Sequence, residues 1–492
     1  MMQPVFRFIF IFILAALAGF SYARESGIYV VPGKVAPNCE VPAFNPGSTG
    51  SNTDLISSNT DSNPSSTDAN PSKTDSNPSK ADSIPAKPDT IAPNPGCYQL
   101  DIFDVLSKKK MQAPEIPSRK VRAIILPLIA SSPSTGLQLG VGSSLSWSIG
   151  HKPATKLSAG AVQVLWTTQR QLISYIRTTM FFSENKWYLQ TDWRWYLFRL
   201  PTYGLGTGPA DNIPNIPAVD ISPGPTATYQ GGKFPMKYNW FKFHNILFRE
   251  VVPHFYAGLG YHFDSYYDIV DENLTLDSAN NIITPHYAYS ELHGFNTLAY
   301  STSGFSVNFS YDTRDNIINA YKGVYINASY LYNVDFLGSS RDGSRLWTEF
   351  RTYVGLSKRV PRHLLAFWLY GSFITSGEIP YLNLMSNGFD VANSSGRGYA
   401  QGRWRGEDVV YGEVEYRFPI SPCSKIVGGV LFANVTTTSN RDMNIPLFGY
   451  LKPGCGFGFR IMVGKNDRTN ILIDFGIGEV SQGLYLQAQE IF

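Results

Sequence analysis

From Val121 onward, polar and apolar residues alternate along the chain. Phe305, Val307, Phe309 and Tyr311 share one parity, while Ser306, Asn308, Ser310, Asp312 and Arg314 share the other. Trp187, Leu189, Trp193 and Trp195 oppose Gln190, Asp192 and Arg194 in the same way. Cys455, Phe457, Phe459, Ile461 and Val463 oppose Gly456, Gly458 and Arg460. A period of two is the mark of a strand, whose successive side chains point to opposite faces. With aromatics on one face and charges on the other, the strands separate two media, lipid outside and a polar lumen inside. Such runs start near Ile124, Leu137, Lys156, Leu172, Trp187, Met236, Phe255, Gly304, Val324, Leu346, Leu364, Asp408, Lys425, Gly454, Asn470 and Gly483. The pattern predicts an all-β fold, a transmembrane antiparallel β-barrel of about sixteen strands over 121–492. An even count closes the sheet and removes edges that lipid would not tolerate.

The stretch 394–420 is the most informative. Its second half alternates strictly, with Val410, Gly412, Val414, Tyr416 and Phe418 on one face and Tyr411, Glu413, Glu415 and Arg417 on the other. Its first half sets arginines beside glycines, a composition suited to a loop that folds back onto something.

Composition agrees with a barrel. Only 16% of residues are charged, 14% are aromatic and 43 are glycine. No segment of the mature chain approaches the ~18 uninterrupted apolar residues that a spanning helix needs. The net charge of +3 is too small to point to nucleic acid or to any charged partner.

The N-terminal part reads differently. Arg7 precedes an apolar run over 8–17, and Ser21, Tyr22 and Ala23 supply small residues at a cleavage spacing. This predicts a secretory signal peptide over 1–23, with the mature chain starting near Arg24. A short segment, 24–46, follows. Residues 47–96 collapse to Ser, Thr, Asn, Asp, Pro and Lys, with a seven-residue repeat visible at Thr60, Thr67, Thr74 and Ala81. A proline in each unit and no apolar heptad pair exclude a coiled coil. The segment is expected to be a disordered linker. Within it, Asp82-Ser83-Ile84 and Asp89-Thr90-Ile91 resemble a short bacterial O-glycosylation pattern, a three-residue match that a plain linker also explains. Residues 97–120 carry Leu100, Phe103 and Leu106 ahead of Lys108–Lys110, readable as a short amphipathic periplasmic helix or as linker.

Of four cysteines, Cys39 and Cys97 bracket the linker and could close it in an oxidising compartment. Cys423 and Cys455 fall in consecutive strands at different depths, ~30 Å apart at 3.3 Å per residue, so no bridge between them is expected.

Several pieces together resemble one family. Tyr311-Asp312-Thr313-Arg314-Asp315-Asn316, followed by Gly323, is similar to the YDTRDN…G segment of the Omp85 superfamily barrel, the bacterial surface antigen or BamA/TamA-type domain. Ser395-Gly396-Arg397-Gly398-Tyr399 resembles the RG(F/Y) tip of that family's lumenal loop, and Glu415-Tyr416-Arg417-Phe418-Pro419 the end of its next strand. The resemblance covers about 121–492 and implies that Arg397, Gly398 and Tyr399 brace the lumen. In the family an F-x-D on the following inner wall holds the arginine. Here Phe432-Ala433-Asn434 stands in that place, so Asn434 would offer a neutral acceptor and Glu413 or Glu415 could substitute. The terminal Phe492, with Leu484 and Leu486 on the same parity, resembles the family's C-terminal barrel-assembly signal. Family insertases also carry periplasmic POTRA modules, and 24–120 leaves no room for one.

Chemistry-bearing motifs are thin. There is no G-x-S-x-G elbow, no H-E-x-x-H and no Cys/His cluster, and the seven histidines are scattered. His254 and His262 read as ordinary wall residues. No enzyme activity, cofactor or metal is expected. The resemblance implies a non-enzymatic barrel in the outer membrane of a Gram-negative bacterium, working in protein or lipid assembly or translocation through a lateral seam. Its expected partners are outer-membrane lipids, the barrel-assembly machinery during biogenesis and a separate periplasmic protein in place of POTRA modules. A passive pore for small solutes and a structural surface antigen are the alternatives.

Overall fold

The computed structural model describes residues 99–106, 122–132, 135–149, 155–208, 232–276, 282–358, 360–421, 423–488 and 490–492. The expected signal peptide, repeat linker and Cys39–Cys97 bridge lie outside them, as do Lys108–Lys110.

Sixteen antiparallel strands follow one another around a single sheet, each hydrogen-bonded to its neighbours in chain order. They are β1 (Arg122–Ser132), β2 (Gly136–Trp147), β3 (Ser158–Thr167), β4 (Leu172–Phe181), β5 (Trp187–Arg199), β6 (Met236–Val252), β7 (Phe255–Asp271) and β8 (Tyr300–Asp312). The second half comprises β9 (Gly323–Asn333), β10 (Gly343–Gly355), β11 (Leu364–Gly377), β12 (Asp408–Pro419), β13 (Val427–Thr438), β14 (Lys452–Gly464), β15 (Thr469–Gly478) and β16 (Gln482–Ala488). Most reach the roughly 9–11 residues that a tilted strand needs to cross a bilayer. β1 and β16 lie side by side. Among the described residues, however, no hydrogen-bonded ladder joins them.

Alternation decides what each face meets. On β8, Phe305 is 56% exposed on the outer face, whereas Asn308 is fully buried toward the lumen. Tyr411, Glu413, Glu415 and Arg417 of β12 all point inward and are buried. The expected parity fails at Val463, which is buried. A register irregularity between Met462 and Gly464 breaks the period there.

Because consecutive strands are antiparallel, the connections alternate between two ends. Long ones (200–235, 272–299, 378–407 and 439–451) cluster at one end, and short turns at the other. Helix α1 (Ile102–Leu106) docks at the short-turn end. Asp104 pairs with Lys465 at 2.8 Å, and the Leu100 N–H donates to the Ser424 carbonyl at 3.0 Å. At the long-loop end, helix α2 (Pro285–Leu292) is capped by Thr284, whose hydroxyl accepts from the Tyr287 N–H. His293, just beyond α2, meets Glu378 at 3.1 Å through Nδ1 and Asp442 at 3.0 Å through Nε2, tying three loops together.

Cys423 and Cys455 are each disulfide-bonded. Cys455 sits opposite Ala433 while Val427 faces Ile461, so Val427 is already about 20 Å away along the strand and Cys423 lies beyond it. That distance keeps the two from bonding to each other.

Candidate functional site in the barrel lumen

The loop 378–407 between β11 and β12 folds back into the lumen. Its Arg-Gly-Tyr tip rests on a groove that small residues create. Gly398, at φ +105°, adopts a conformation that side chains disfavour, and a Cβ there would stand 2.7 Å from the Ile477 backbone. On the wall, a Cβ on Gly476 would meet the Gly398 nitrogen at 2.7 Å. Glycines on both partners therefore let two backbones touch. The Gly398 N–H donates to the Tyr485 hydroxyl at 2.9 Å, and the Ser481 hydroxyl donates to the Gly398 carbonyl at 2.8 Å. Tyr399 donates its hydroxyl to the Pro453 carbonyl and accepts from the Glu479 N–H at 3.2 Å.

Arg397 is the centre of this arrangement. Its guanidinium pairs with Glu413 and Glu415 of β12 and with Asp474 of β15, all with fully buried side chains. The Phe432 ring lies 3.6 Å from the guanidinium carbon, a cation–π contact on the remaining face. The expected role of Asn434 needs correction. Its side-chain amide donates to the Arg397 backbone carbonyl at 3.0 Å and so holds the loop's backbone, leaving the guanidinium to carboxylates. The missing charge is supplied by Glu413 and Glu415, the substitutes the sequence offered, and by Asp474 two strands further on. A strictly local reading of Phe-x-Asn could not find Asp474. Its signal was its inward parity within Ile473-Asp474-Phe475 on β15.

The network extends beyond Arg397. Arg460 shares Asp474 and donates Nε to Glu490 at 2.8 Å. Arg417 donates Nε to Glu415 at 2.6 Å. Three arginines thus interlock with four carboxylates in a buried cluster. Charge pairing and hydrogen bonding make such burial tolerable, although Arg397 Nε and Arg417 Nη1 have no hydrogen-bond partner among the described residues. Arg405 secures the loop itself, its Nη1 donating to the carbonyls of Tyr381, Leu382 and Leu384.

Phe492 is placed differently from expectation. The outward parity of Leu484 and Leu486 would carry it to the lipid face, but 490–492 turn inward, and Phe492 is buried against Trp368 at 5.3 Å between ring centres. The Glu490 ion pair with Arg460 draws the segment in.

The segment around Asp312 forms a separate site at the short-turn end. Arg314 donates Nε to Asp312 at 3.0 Å, and Asp315 pairs with Arg468 of the β14–β15 turn at 2.8 Å. Gly323, at φ +109°, leaves space for the Thr313 carbonyl, which a Cβ would meet at 2.4 Å. These residues brace the turn and are not brought to Arg397.

Bordered on one side by Glu490 of the arginine cluster, the lumen holds a cavity of about 380 Å³ whose other lining includes Asp192, Lys242, His244, Asp264 and Arg345. Lys242 pairs with Asp192 at 2.9 Å and His244 with Asp264 at 2.6 Å. His262 stacks edge-on to His244 and bonds Ser306 at 2.7 Å, a wall residue as expected. His254, in contrast, lies in the β6–β7 turn at φ +69°. Among the described residues no group of His, Cys, Asp and Glu is arranged to hold a metal ion.

Residues 250–479, from the end of β6 to just past β15, match the family model described as the Omp85 superfamily domain. No curated protein matches the chain. Similar solved structures include BamA from Haemophilus ducreyi lacking POTRA domains 1-3, with 14% identity, TM-score 0.45, 75% of this chain covered and 69% of that one. CdiB from Acinetobacter baumannii shows 11% identity and TM-score 0.43, with 76% of this chain and 60% of that chain covered. CdiB from Escherichia coli shows 9% identity and TM-score 0.45, with 76% and 62% covered. The chain spans less than two thirds of both CdiB chains.

Proposed function

We propose, from the match of residues 250–479 to the Omp85 superfamily domain, that the chain is a non-enzymatic outer-membrane barrel that assembles or translocates other polypeptides through the β1–β16 seam. The observation that carries this reading is the seam itself. Every other neighbouring pair of strands is joined by a ladder, but β1 and β16 lie adjacent without one among the described residues. β16 is the shortest strand at seven residues, and Pro127 removes one donor from β1. A seam held without a ladder opens at lower cost than any other place in the wall, because each ladder bond left unmade in lipid is expensive. The Arg397 cluster supports the same reading, since it keeps the wall of β12 to β15 rigid beside the seam. Lipids surround the barrel, and a separate periplasmic protein delivers clients to the short-turn end where α1 docks.

The test is a photo-crosslinking amino acid placed in cells at Ile125 on β1, with Phe305 on β8 as the lipid-facing control. Adducts with other exported polypeptides at Ile125 and none at Phe305 are expected. Equal yields at the two positions would overturn the reading.

The lumenal cavity favours a second reading, a passive pore. Single-channel recording separates the two. A small flickering conductance that grows in Arg397→Ala belongs to a loop-plugged lumen, and a large steady conductance indifferent to the substitution belongs to a pore.

A further inference from the structure

The segment 490–492 occupies a pocket built as a peptide site. It leaves the wall after β16 and presents three features to three sets of groups. The Glu490 carboxylate accepts from Arg460 Nε at 2.8 Å and from the Asn470 side-chain amide at 2.6 Å. The Phe492 carbonyl accepts from Arg417 Nη2 at 3.1 Å. The Phe492 ring packs 5.3 Å from Trp368 and 6.3 Å from Tyr353, with the Arg417 guanidinium carbon 5.1 Å from its centre. Charge is thus read by Arg460 and Asn470, the backbone by Arg417, and the ring by Trp368, Tyr353 and Arg417.

Two further observations mark the pocket as exchangeable. Arg417 is 95% buried, yet its Nη1 has no hydrogen-bond partner among the described residues. An orphaned buried donor of this kind carries a desolvation cost that another acceptor would relieve. The segment is also flanked by free space. All three residues line the cavity of about 380 Å³, and Glu490 also borders a second cavity of about 210 Å³. A segment locked into a solid core would have neither.

We propose that this pocket on the inner wall is a binding site for other polypeptide segments bearing an acidic residue two positions before an aromatic one, and that the chain's own 490–492 is its resident occupant. Arg460 and Asn470 select the carboxylate, Arg417 takes the backbone carbonyl, and Trp368 with Tyr353 selects the ring. An incoming segment displaces the resident through the cavity. The site names a ligand class within the translocation reading above and rests on it for its purpose, but binding at the wall does not require the seam to open.

The test uses the full chain in detergent with Glu490→Gln and Phe492→Ala together, which removes both anchors of the resident while leaving β16 intact. The probe is a fluorescein-labelled peptide containing Gln-Glu-Ile-Phe, followed by anisotropy. The substituted chain should bind the probe at least about tenfold more tightly than the unsubstituted chain, whose pocket is filled. A peptide with Glu changed to Gln should lose about tenfold, the scale of one charge-assisted hydrogen bond. Adding Arg417→Gln should lose a similar factor. Equal binding by substituted and unsubstituted chains, or indifference to the peptide's Glu and Phe, would sink the proposal. If the double variant fails to show the heat-modifiable mobility of a folded barrel, Glu490→Gln alone serves, with an intermediate gain expected and no gain counting against the site. Peptide binding without seam adducts would defeat the functional reading and leave this site standing. Seam adducts without peptide binding would do the reverse.

Discussion

The two sides of the lumen are built from the same alternating pattern and end in opposite states. On the β12 to β16 side, Arg397, Arg417 and Arg460 interlock with Glu413, Glu415, Asp474 and Glu490 with almost no solvent access. On the β5 to β7 side, Asp192, Lys242, His244 and Asp264 border open space. The strands alone do not make this difference. It comes from what is inserted: the Arg397 tip of the loop 378–407 and the segment 490–492 fill the first side, whereas Asp390, Val391 and Asn393 of the same loop reach Arg194 on the second side and leave a cavity beside it. The lesson is that inward charges on a barrel wall are sockets, and a returning segment decides which of them are filled.

Substituting the plug tests that contrast most severely. Arg397→Ala leaves three buried carboxylates facing one another, which should cost roughly 3–5 kcal/mol. The urea midpoint of barrel unfolding should fall accordingly, and conductance should rise as the loop loosens. An unchanged midpoint would show that the loop is not held by charge. Asp474→Asn is a milder probe of the same side, because Arg397 keeps Glu413 and Glu415 and Arg460 keeps Glu490. A loss of about 2 kcal/mol is expected by the same measurement. On the open side, Asp264→Asn removes the partner of His244 and of the Trp240 indole, but beside a cavity that can admit water. Stability should change by about 1 kcal/mol, and the reversal potential in a salt gradient should shift away from cations. If Asp264→Asn proved as costly as Asp474→Asn, the two sides would not differ as described.

The smallest effect lies at the long-loop end. Burial disfavours the charged His293 imidazolium, but hydrogen bonds from it to Asp442 and Glu378 outweigh burial and raise its pKa. Glu378 also faces Arg341, and Asp442 lies near Glu407. A raised folded pKa means that the clasp's contribution is complete below the ordinary histidine value and is lost as pH rises through the raised one. Glu407 acts in the same direction, since burial pushes its carboxyl up to about 7 and favours the protonated form in the closed loops. Proteolysis of the loops in intact cells should therefore quicken by about threefold or less between pH 5 and 8, discounted for solvent screening. His293→Gln should flatten that slope.

Much of this is legible in the chain itself. The alternation on β8 and β12 named the inward residues correctly, and the Arg-Gly-Tyr composition marked the loop that returns. Three things were not legible. Asp474 reaches Arg397 from β15, more than seventy positions away, so no local motif contains the pair. Val463 breaks parity because an irregularity in the ladder costs one register position, which composition does not show. Phe492 turns inward although its parity points outward, because its path is set by Arg460, Asn470 and Arg417 on other strands.

By itself, then, the sequence determined the strands, their faces and the loop that must find a partner inside. These follow from period two and local residue chemistry, which act over a few neighbours. Only the tertiary structure decided that Asp474 joins Glu413 and Glu415 around the arginine, which side of the lumen is filled and where the last residues go. Those outcomes depend on distances across the lumen, and a pattern along one strand carries no information about what stands opposite it.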